Sequence, residues 1–412
     1  MKREKRTFTR WGLLALFILV LSLAACSSGS SNTGTEPTSA PAANNENTAV
    51  TQPTEAPVAE MTVVKIGAAH ALSGPIALYG TPIKQGIELA IQEINDQHYL
   101  GDNMTLEVVY EDTNGDKEQS ISVFEKLINQ DNVVAILGPT LSNSAFAADP
   151  VAQEAGIPVI GSSNTASGIT DMGDYVFRTS LPESAVIPNT IKVMVEQNGL
   201  QRVAVMYGND DQFTQSGYEV FVAALQDNGV EVITTDTFAK GDTDFSAQLT
   251  KIKSLEPQAI VASALAEEAA NIMIQARQLG ISEDIYFIGG NGFNSPKLAE
   301  IAGPAAEGAI SGAAWFISNP TPENTAFVAA YQAAYGADPD QFAAQAYTAA
   351  WVLAKAIKDA GSSDPAAIRD ALVNIQDLPT PLGNFSFDAN RDPVHTPVVL
   401  IVKDGKFALF GN

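Results

Sequence analysis

From Val63 onward the chain alternates between two periodicities. Short apolar runs are separated by longer stretches in which apolar residues recur three and four positions apart, the signatures of buried strands and of one-sided helices. Val63-Val64-Lys65-Ile66-Gly67 predicts a strand, and Ile83, Ile87, Ala90, Ile91 and Ile94 predict a helix over 81–95. Strands follow at 106–110, 133–137 and 158–160, with helices over 117–129 and 143–155 between them. A second series begins near Glu183, in which helices over 184–198, 214–227, 244–254 and 266–279 alternate with strands at 203–207, 230–234, 259–263 and 285–288. Parallel neighbours need a crossover that lays a helix on the sheet, so this alternation predicts an α/β chain with two doubly wound parallel sheets. A third stretch differs. Residues 322–336, 341–360 and 364–375 read as Ala-rich helices, and 385–387, 398–402 and 407–410 as short strands. Asp404-Gly405 is a hairpin turn signal between the last two.

The N-terminus does not share this pattern. Cationic residues up to Arg10 precede the apolar run Trp11–Ala25, as in a secretory signal. The run is shorter than the roughly 20 apolar residues of a membrane-spanning helix. It ends in Leu23-Ala24-Ala25-Cys26, which resembles the lipobox of bacterial lipoproteins. That resemblance implies cleavage after residue 25 and a diacylglyceryl group on Cys26. Cys26 is the only cysteine of the chain, so an intrachain disulfide and a cysteine metal site are both excluded. Residues 26–60 are rich in Ser, Thr, Pro, Ala, Asn and Glu. Such a segment buries too little apolar surface to offset its ordering entropy and is expected to be a flexible tether.

Residues 61–412 suffice for two domains of ordinary size. The chain carries 23 Lys and Arg against 47 Asp and Glu, a net charge of −24, which argues against nucleic acid as a partner. A soluble acidic exterior is the plain reading of that charge.

In open α/β sheets ligands bind beyond the carboxyl ends of the strands. Three of the expected strand ends carry unusual loops: 71–80, Gly138-Pro139-Thr140-Leu141-Ser142-Asn143-Ser144, and Gly161-Ser162-Ser163-Asn164-Thr165. Hydroxyls and free N–H groups at a helix start suit a carboxylate, although N-capping is the commoner use of Ser and Thr there. Two such loops side by side point to a cleft.

The run Ile66-Gly67, Leu72-Ser73-Gly74-Pro75, Tyr79-Gly80, Gly86, Ala90 and Ile94-Asn95 resembles the opening of the branched-chain amino acid-binding family. Further matches follow in order: Glu111-Asp112, Val134–Gly138, Gly156–Ile160, Phe177-Arg178-Thr179, Thr243-Asp244-Phe245, Gln275-Ala276-Arg277 and Gly289-Gly290. The resemblance covers essentially all of 62–412. It implies a substrate-binding protein of an ABC importer with the type I periplasmic-binding fold: two lobes joined by a three-crossover hinge, closing on a small molecule. The lobes would be 61–181 with 317–384, and 182–316 with 385–412. Tyr79, Ser142, Ser163 and Thr165 match ligand-contacting positions of the first lobe, and Phe213 matches an aromatic residue closing the pocket from the second. Ser142 and Thr165 would hold a ligand carboxylate, the Ser163 carbonyl an ammonium, and Tyr79 would cover the ligand side chain. Asn291 stands where leucine-binding members carry an acid, and Leu265 where an aromatic wall is common. An amide accepts a hydrogen bond without supplying charge. Glu267 and Asp210 are alternative partners for an ammonium, each against the solvated surface role it has by default. Tyr347 also matches a family motif, with core packing as its simpler role.

The resemblance further implies permease subunits as partners, a monomer, no cofactor and an extracytoplasmic, lipid-anchored location. A sensor feeding a signalling partner is the alternative. The histidines are His70, His98 and His395. The latter two are expected on the surface, and a lone His70 near the cleft is expected to be structural. Neither Gly-x-Ser-x-Gly nor a phosphate-binding loop occurs, and no catalytic residue is assigned.

Overall fold

The computed structural model describes residues 61–411. The expected signal, Cys26 and the tether to residue 60 lie outside the described residues. The first sheet comprises β1 (Thr62–His70), β2 (Met104–Asp112), β3 (Ile136–Leu137), β4 (Val159–Gly161) and β5 (Val176–Arg178) in the order β2-β1-β3-β4-β5. All four pairings are parallel. The helices between them are α1 (Ala77–Asp96), α2 (Lys117–Asn129) and α3 (Ser142–Ala155). The apolar stripe of α1 is buried from Ile83 to Ile94, each fully covered isoleucine contributing about 1.5–3 kcal/mol.

After β5 the chain crosses to α4 (Glu183–Asn198) and builds β6 (Arg202–Gly208), α5 (Gln212–Asp227), β7 (Glu231–Phe238), α6 (Ser246–Leu255), β8 (Ala259–Ser263), α7 (Ala266–Gln278) and β9 (Tyr286–Gly289). α8 (Pro296–Ala302) and β10 (Ile310–Ala313) follow. The chain then returns to the first lobe with α9 (Pro322–Tyr335), α10 (Gln341–Ala360), α11 (Pro365–Leu372) and the ribbon β11 (Leu378–Thr380) and β12 (Gly383–Phe385). It ends on the hairpin β13 (Val398–Lys403) and β14 (Lys406–Leu409), giving a second sheet of order β14-β13-β10-β9-β8-β6-β7. β13 runs antiparallel to β10 and β14 antiparallel to β13, while the rest of that sheet is parallel. Asp404 and Gly405 both adopt positive φ (52° and 73°), as a tight hairpin requires.

α10 belongs to the first lobe because it packs along α1. The approach is close enough that a Cβ on Gly86 would fall 2.3 Å from the Ala343 carbonyl oxygen. The chain thus passes between sheets three times, after β5, after β10 and after β12. The last passage falls later than expected. Residues 386–392, expected with the second lobe, lie against the first: the Phe387 ring meets Phe177 edge-on at 5.3 Å, and Asp392 pairs with Arg178. The predicted strand at 385–387 is shifted accordingly, with pairing at Gly383–Phe385 and a single bridge from Phe387 to Pro393.

Four elements escaped the hydrophobic pattern. β5 carries a buried arginine instead of an apolar run, β10 is made of Ile-Ser-Gly-Ala, α8 is only seven residues long, and β11 is the three-residue Leu-Pro-Thr. The neighbours on both sides of β10 supply what its propensity lacks. Among the described residues no helix is long and apolar enough to cross a membrane.

Candidate functional site

The carboxyl ends of β3 and β4 open onto a cavity lined by Tyr79, Thr140, Leu141, Ser142, Ser163, Thr165, Phe213, Leu265, Asn291, Gly292 and Phe342. The structure therefore brings together all six ligand-binding positions expected from the sequence. It adds Thr140, Leu141, Gly292 and Phe342, which the sequence reading did not single out. Glu267 and Asp210 are exposed and outside this lining, and the Asp210 carboxylate accepts the Lys240 N–H at 2.8 Å.

Ser142 opens α3 without capping it. Its Oγ accepts from the N–H groups of Thr165 (3.2 Å) and Ala166 (3.3 Å), so it ties the two hydroxyl-rich loops together. Both of its lone pairs are engaged, and its hydroxyl proton remains free for an acceptor. Thr165 Oγ1 is buried with no protein partner. Ser163 Oγ donates to the Thr140 carbonyl at 2.7 Å, which fixes the loop rather than the cavity contents.

Thr140 is held from behind. Its Oγ1 accepts from the Ala71 N–H at 3.1 Å and lies 3.2 Å from His70 Nδ1. Burial pulls the His70 pKa down to about 3, so the ring is neutral and structural, as expected. His98 is exposed, also as expected. His395, expected on the surface, is half-buried: both ring nitrogens are enclosed, and burial lowers its pKa to about 4.

The Ser163–Ala166 loop owes its shape to Arg178. This guanidinium is 2% exposed, donates to the carbonyls of Asn164 (3.3 Å) and Ala166 (2.8 Å), and forms a two-pronged pair with Asp392 (2.5 and 3.1 Å). Arg178 and Asp392 lie 214 positions apart, which is why the sequence showed the arginine only as part of a motif.

The second lobe supplies the apolar wall. Phe213 sits in the first turn of α5, behind Asp211, whose carboxylate caps the helix through the Thr214 N–H at 3.0 Å. Leu265 immediately precedes α7. From the other side Phe342, in the first turn of α10, meets the Tyr79 ring edge-on at 4.9 Å. The lobes touch across the cleft. The Asn143 amide donates to Asp211 Oδ2 at 2.6 Å and accepts the Gln212 N–H at 2.8 Å, and the Ser167 N–H donates to Ser216 Oγ at 2.9 Å.

Asn291 lines the cavity but its amide serves the hinge. Nδ2 donates to the Leu181 carbonyl at 3.2 Å, and Oδ1 accepts from Gln341 Nε2 at 3.0 Å. Gln341 Oε1 in turn accepts from Asn294 Nδ2 (2.7 Å) and the Ala314 N–H (2.5 Å). Asn291 thus links the first and second crossovers to the start of α10. Tyr347 lies in the core beside Phe327, with its hydroxyl donating to Glu93 at 2.5 Å. Among the described residues no cluster of three or more His, Cys, Asp or Glu forms a metal site.

Two α/β lobes, three crossovers and a hydroxyl-lined cleft between them define a bilobal binding protein of type I topology. The chain belongs to the periplasmic binding protein family, whose model matches residues 63–406. It is similar to the leucine-, isoleucine-, valine-, threonine- and alanine-binding protein of Pseudomonas aeruginosa, with 29% identity over 330 residues covering 80% of this chain and 87% of that protein. Among solved structures it resembles the leucine-binding protein LivK of Thermotoga maritima, with a TM-score of 0.80, 29% identity and coverage of 84% and 97%. LivJ of Streptococcus pneumoniae, in complex with isoleucine, aligns with a TM-score of 0.79, 31% identity and coverage of 84% and 98%. A solute-binding protein from R. palustris in complex with benzoate aligns with a TM-score of 0.77, 25% identity and coverage of 85% and 96%.

Proposed function

We propose that this chain is the extracytoplasmic receptor of an ABC importer, taking an amino acid or related small carboxylate into the cleft and delivering it to permease subunits without chemical change. The observation that carries this reading is the pair of hydroxyls at Ser142 and Thr165. One keeps a free proton because its lone pairs are engaged, and the other has no protein partner. Both face a cavity otherwise walled by Tyr79, Leu141, Phe213, Leu265 and Phe342. Few polar groups at one end and apolar side chains elsewhere suit a ligand with an anionic head and an apolar body. Isoleucine and benzoate, the ligands of two of the similar structures, share that chemistry. Cleavage at the Leu23–Cys26 motif and acylation of Cys26 would hold the receptor at the membrane.

A thermal-shift screen of amino acids, small carboxylates, amides and sugars tests the reading. A ligand at 100 times its Kd adds about 2.7 kcal/mol of stability. Stabilisation by carboxylate-bearing compounds is expected; stabilisation by sugars alone would overturn it.

A further inference from the structure

We propose that a second cavity, at the hinge and outside the cleft, binds a small organic ammonium with an apolar body, and that its occupancy favours the closed arrangement of the lobes. This site does not depend on what the cleft takes. The cavity has a volume of about 300 Å³, at the lower end of the ~300–1,000 Å³ of small-molecule sites. Three parts of the molecule enclose it: α8 and the β13–β14 hairpin of the second lobe, the crossover after β10, and the start of α10 on the first lobe. Trp315, Phe316, Leu400 and Phe407 give it apolar walls. Asp340, Gln341 and Asn294 form one polar end, because Gln341 follows Asp340 in the chain and accepts from Asn294 Nδ2 at 2.7 Å.

That end offers acceptors, and its side-chain donors are already used. A relay of amides starts at the Leu181 carbonyl, which fixes the orientation of each member. Asn291 Nδ2 donates to Leu181 at 3.2 Å, Gln341 Nε2 donates to Asn291 Oδ1 at 3.0 Å, and Asn294 Nδ2 donates to Gln341 Oε1. The relay ends on Asn294 Oδ1, an acceptor. The Trp315 indole N–H is also engaged, donating to Asn324 Oδ1 at 2.7 Å. Asp340 caps α10 by accepting the Ala343 N–H at 2.9 Å, and a carboxylate has acceptor capacity beyond one such bond. Burial raises its pKa to about 7 against the Ala343 and Phe342 N–H groups, and among the described residues no Lys, Arg or His acts on it. The other charged lining residues, Glu300 and Lys406, are exposed at the rim, and Glu300 pairs with Lys297. Acceptors beside a carboxyl without a counter-charge suit a ligand that brings both donors and positive charge. Aromatic walls add to the attraction for a cation.

Gln341 also connects this cavity to the cleft. It bonds to Asn291 and directly precedes Phe342, and both of those residues line the cleft. The walls of the second cavity come from both lobes, so its shape belongs to the arrangement in which Asn143 reaches Asp211 and Gln212 across the cleft. A ligand that fits it binds that arrangement better than an open one and shifts the population toward closure.

Calorimetric titration with 2-phenylethylamine, and with 2-phenylethanol as its uncharged counterpart, tests the assignment. The wild-type chain should bind the amine at least about tenfold more tightly than the alcohol, the scale of one charge-assisted hydrogen bond. Asp340→Asn keeps a side chain that caps a helix well. It should bring the two affinities to within about threefold while leaving that of the alcohol nearly unchanged. Equal losses for both compounds, or no loss for the amine, would overturn the role of Asp340. A second measurement locates the site without a variant. In nitrogen–proton correlation spectra of the wild-type chain, the amine should shift the indole N–H signal of Trp315 and leave that of Trp351 in place. Trp351 lines a separate cavity with Glu93 and Glu323, so a shift of Trp351 alone would put the amine there and overturn the assignment, as would the absence of any binding. Small-angle scattering tests the coupling. Saturating amine, with nothing in the cleft, should reduce the radius of gyration, and binding at an unchanged radius would overturn the link to closure.

Discussion

The hydroxyl of Tyr79, on the first lobe, donates to the carbonyl of Gly292, on the second, at 3.0 Å. The same oxygen accepts the N–H of Ala266 at 2.8 Å, so one phenol fastens two segments of the opposite lobe. Burial raises the Tyr79 pKa far above the ordinary phenol value, and the group stays protonated as this geometry requires. These bonds bridge the lobes, so opening of the cleft would break them and hand both partners to water. Tyr79→Phe should therefore leave the unliganded fold stable and weaken ligand binding by about 1–3 kcal/mol, roughly 5- to 150-fold in Kd. Calorimetry measures that loss. Small-angle scattering provides the companion test: the wild-type chain should compact on saturation with ligand, and the variant less completely.

The sequence showed the alternating elements and the hydroxyl loops because both are local. Ile83 to Ile94 announce a helix by their spacing, and Ser142 and Thr165 stand at strand ends where cleft residues belong. The task of Asn291 was not legible in the same way. Whether an amide faces a ligand or braces a hinge depends on Leu181 and Gln341, which lie 110 and 50 positions away. Phe342 escaped notice because its helix reads as an ordinary Ala-rich segment, and only the close packing of α10 on α1 carries it to Tyr79. The third crossover was placed too early for a similar reason. The segment from 386 to 392 has no apolar periodicity and is held by Phe177 and Arg178 of a distant strand.

Asp392 anchors that segment through Arg178, and the pair is only slightly open to solvent on the carboxylate side. Asp392→Asn leaves a buried guanidinium without its counter-charge. A destabilisation of about 3 kcal/mol is expected from the loss of one partner of a buried pair, read as a shift in the urea midpoint with unchanged slope. Because Arg178 also holds the Asn164 and Ala166 carbonyls, the variant should bind ligand more weakly even at temperatures where it remains folded.

Ser142 and Thr165 should separate under mutation. Ser142→Ala leaves the Thr165 and Ala166 N–H groups without their acceptor, so both stability and affinity should fall, stability by about 1–3 kcal/mol. Thr165→Val removes a hydroxyl that has no protein partner. Stability should change little, while affinity for a carboxylate ligand drops about tenfold, the value of one hydrogen bond. Parallel thermal melts and titrations distinguish the two patterns.

Cys26 is the test of anchoring. Cys26→Ser should shift the protein from the membrane fraction to the soluble one, or leave the precursor uncleaved, because neither acyl chain can be attached. Fractionation with processing monitored by mass decides it, and unchanged membrane association with normal cleavage would exclude acylation at this residue.

Stability should fall as pH rises through the neutral range, because of Glu183. Its pKa in the fold is about 8 against an ordinary 4.5, so between those values the folded chain keeps a proton that the unfolded chain gives up. The stability associated with this group is complete below pH 4.5 and is lost as pH approaches 8. Asp340, raised by burial to about 7 from 3.8, acts in the same direction over a lower window. His70 and His395 oppose them on the acid side. Lowered to about 3 and about 4 from 6.5, they stay neutral in the fold while the unfolded chain takes up protons below pH 6.5. The contribution of Glu183 is isolated by comparing urea midpoints of the wild-type chain and Glu183→Gln at pH 5 and at pH 8.5. The difference should move in favour of the variant as pH rises, because glutamine has no proton to lose. A difference that stays constant across this range would place the Glu183 pKa near its ordinary value.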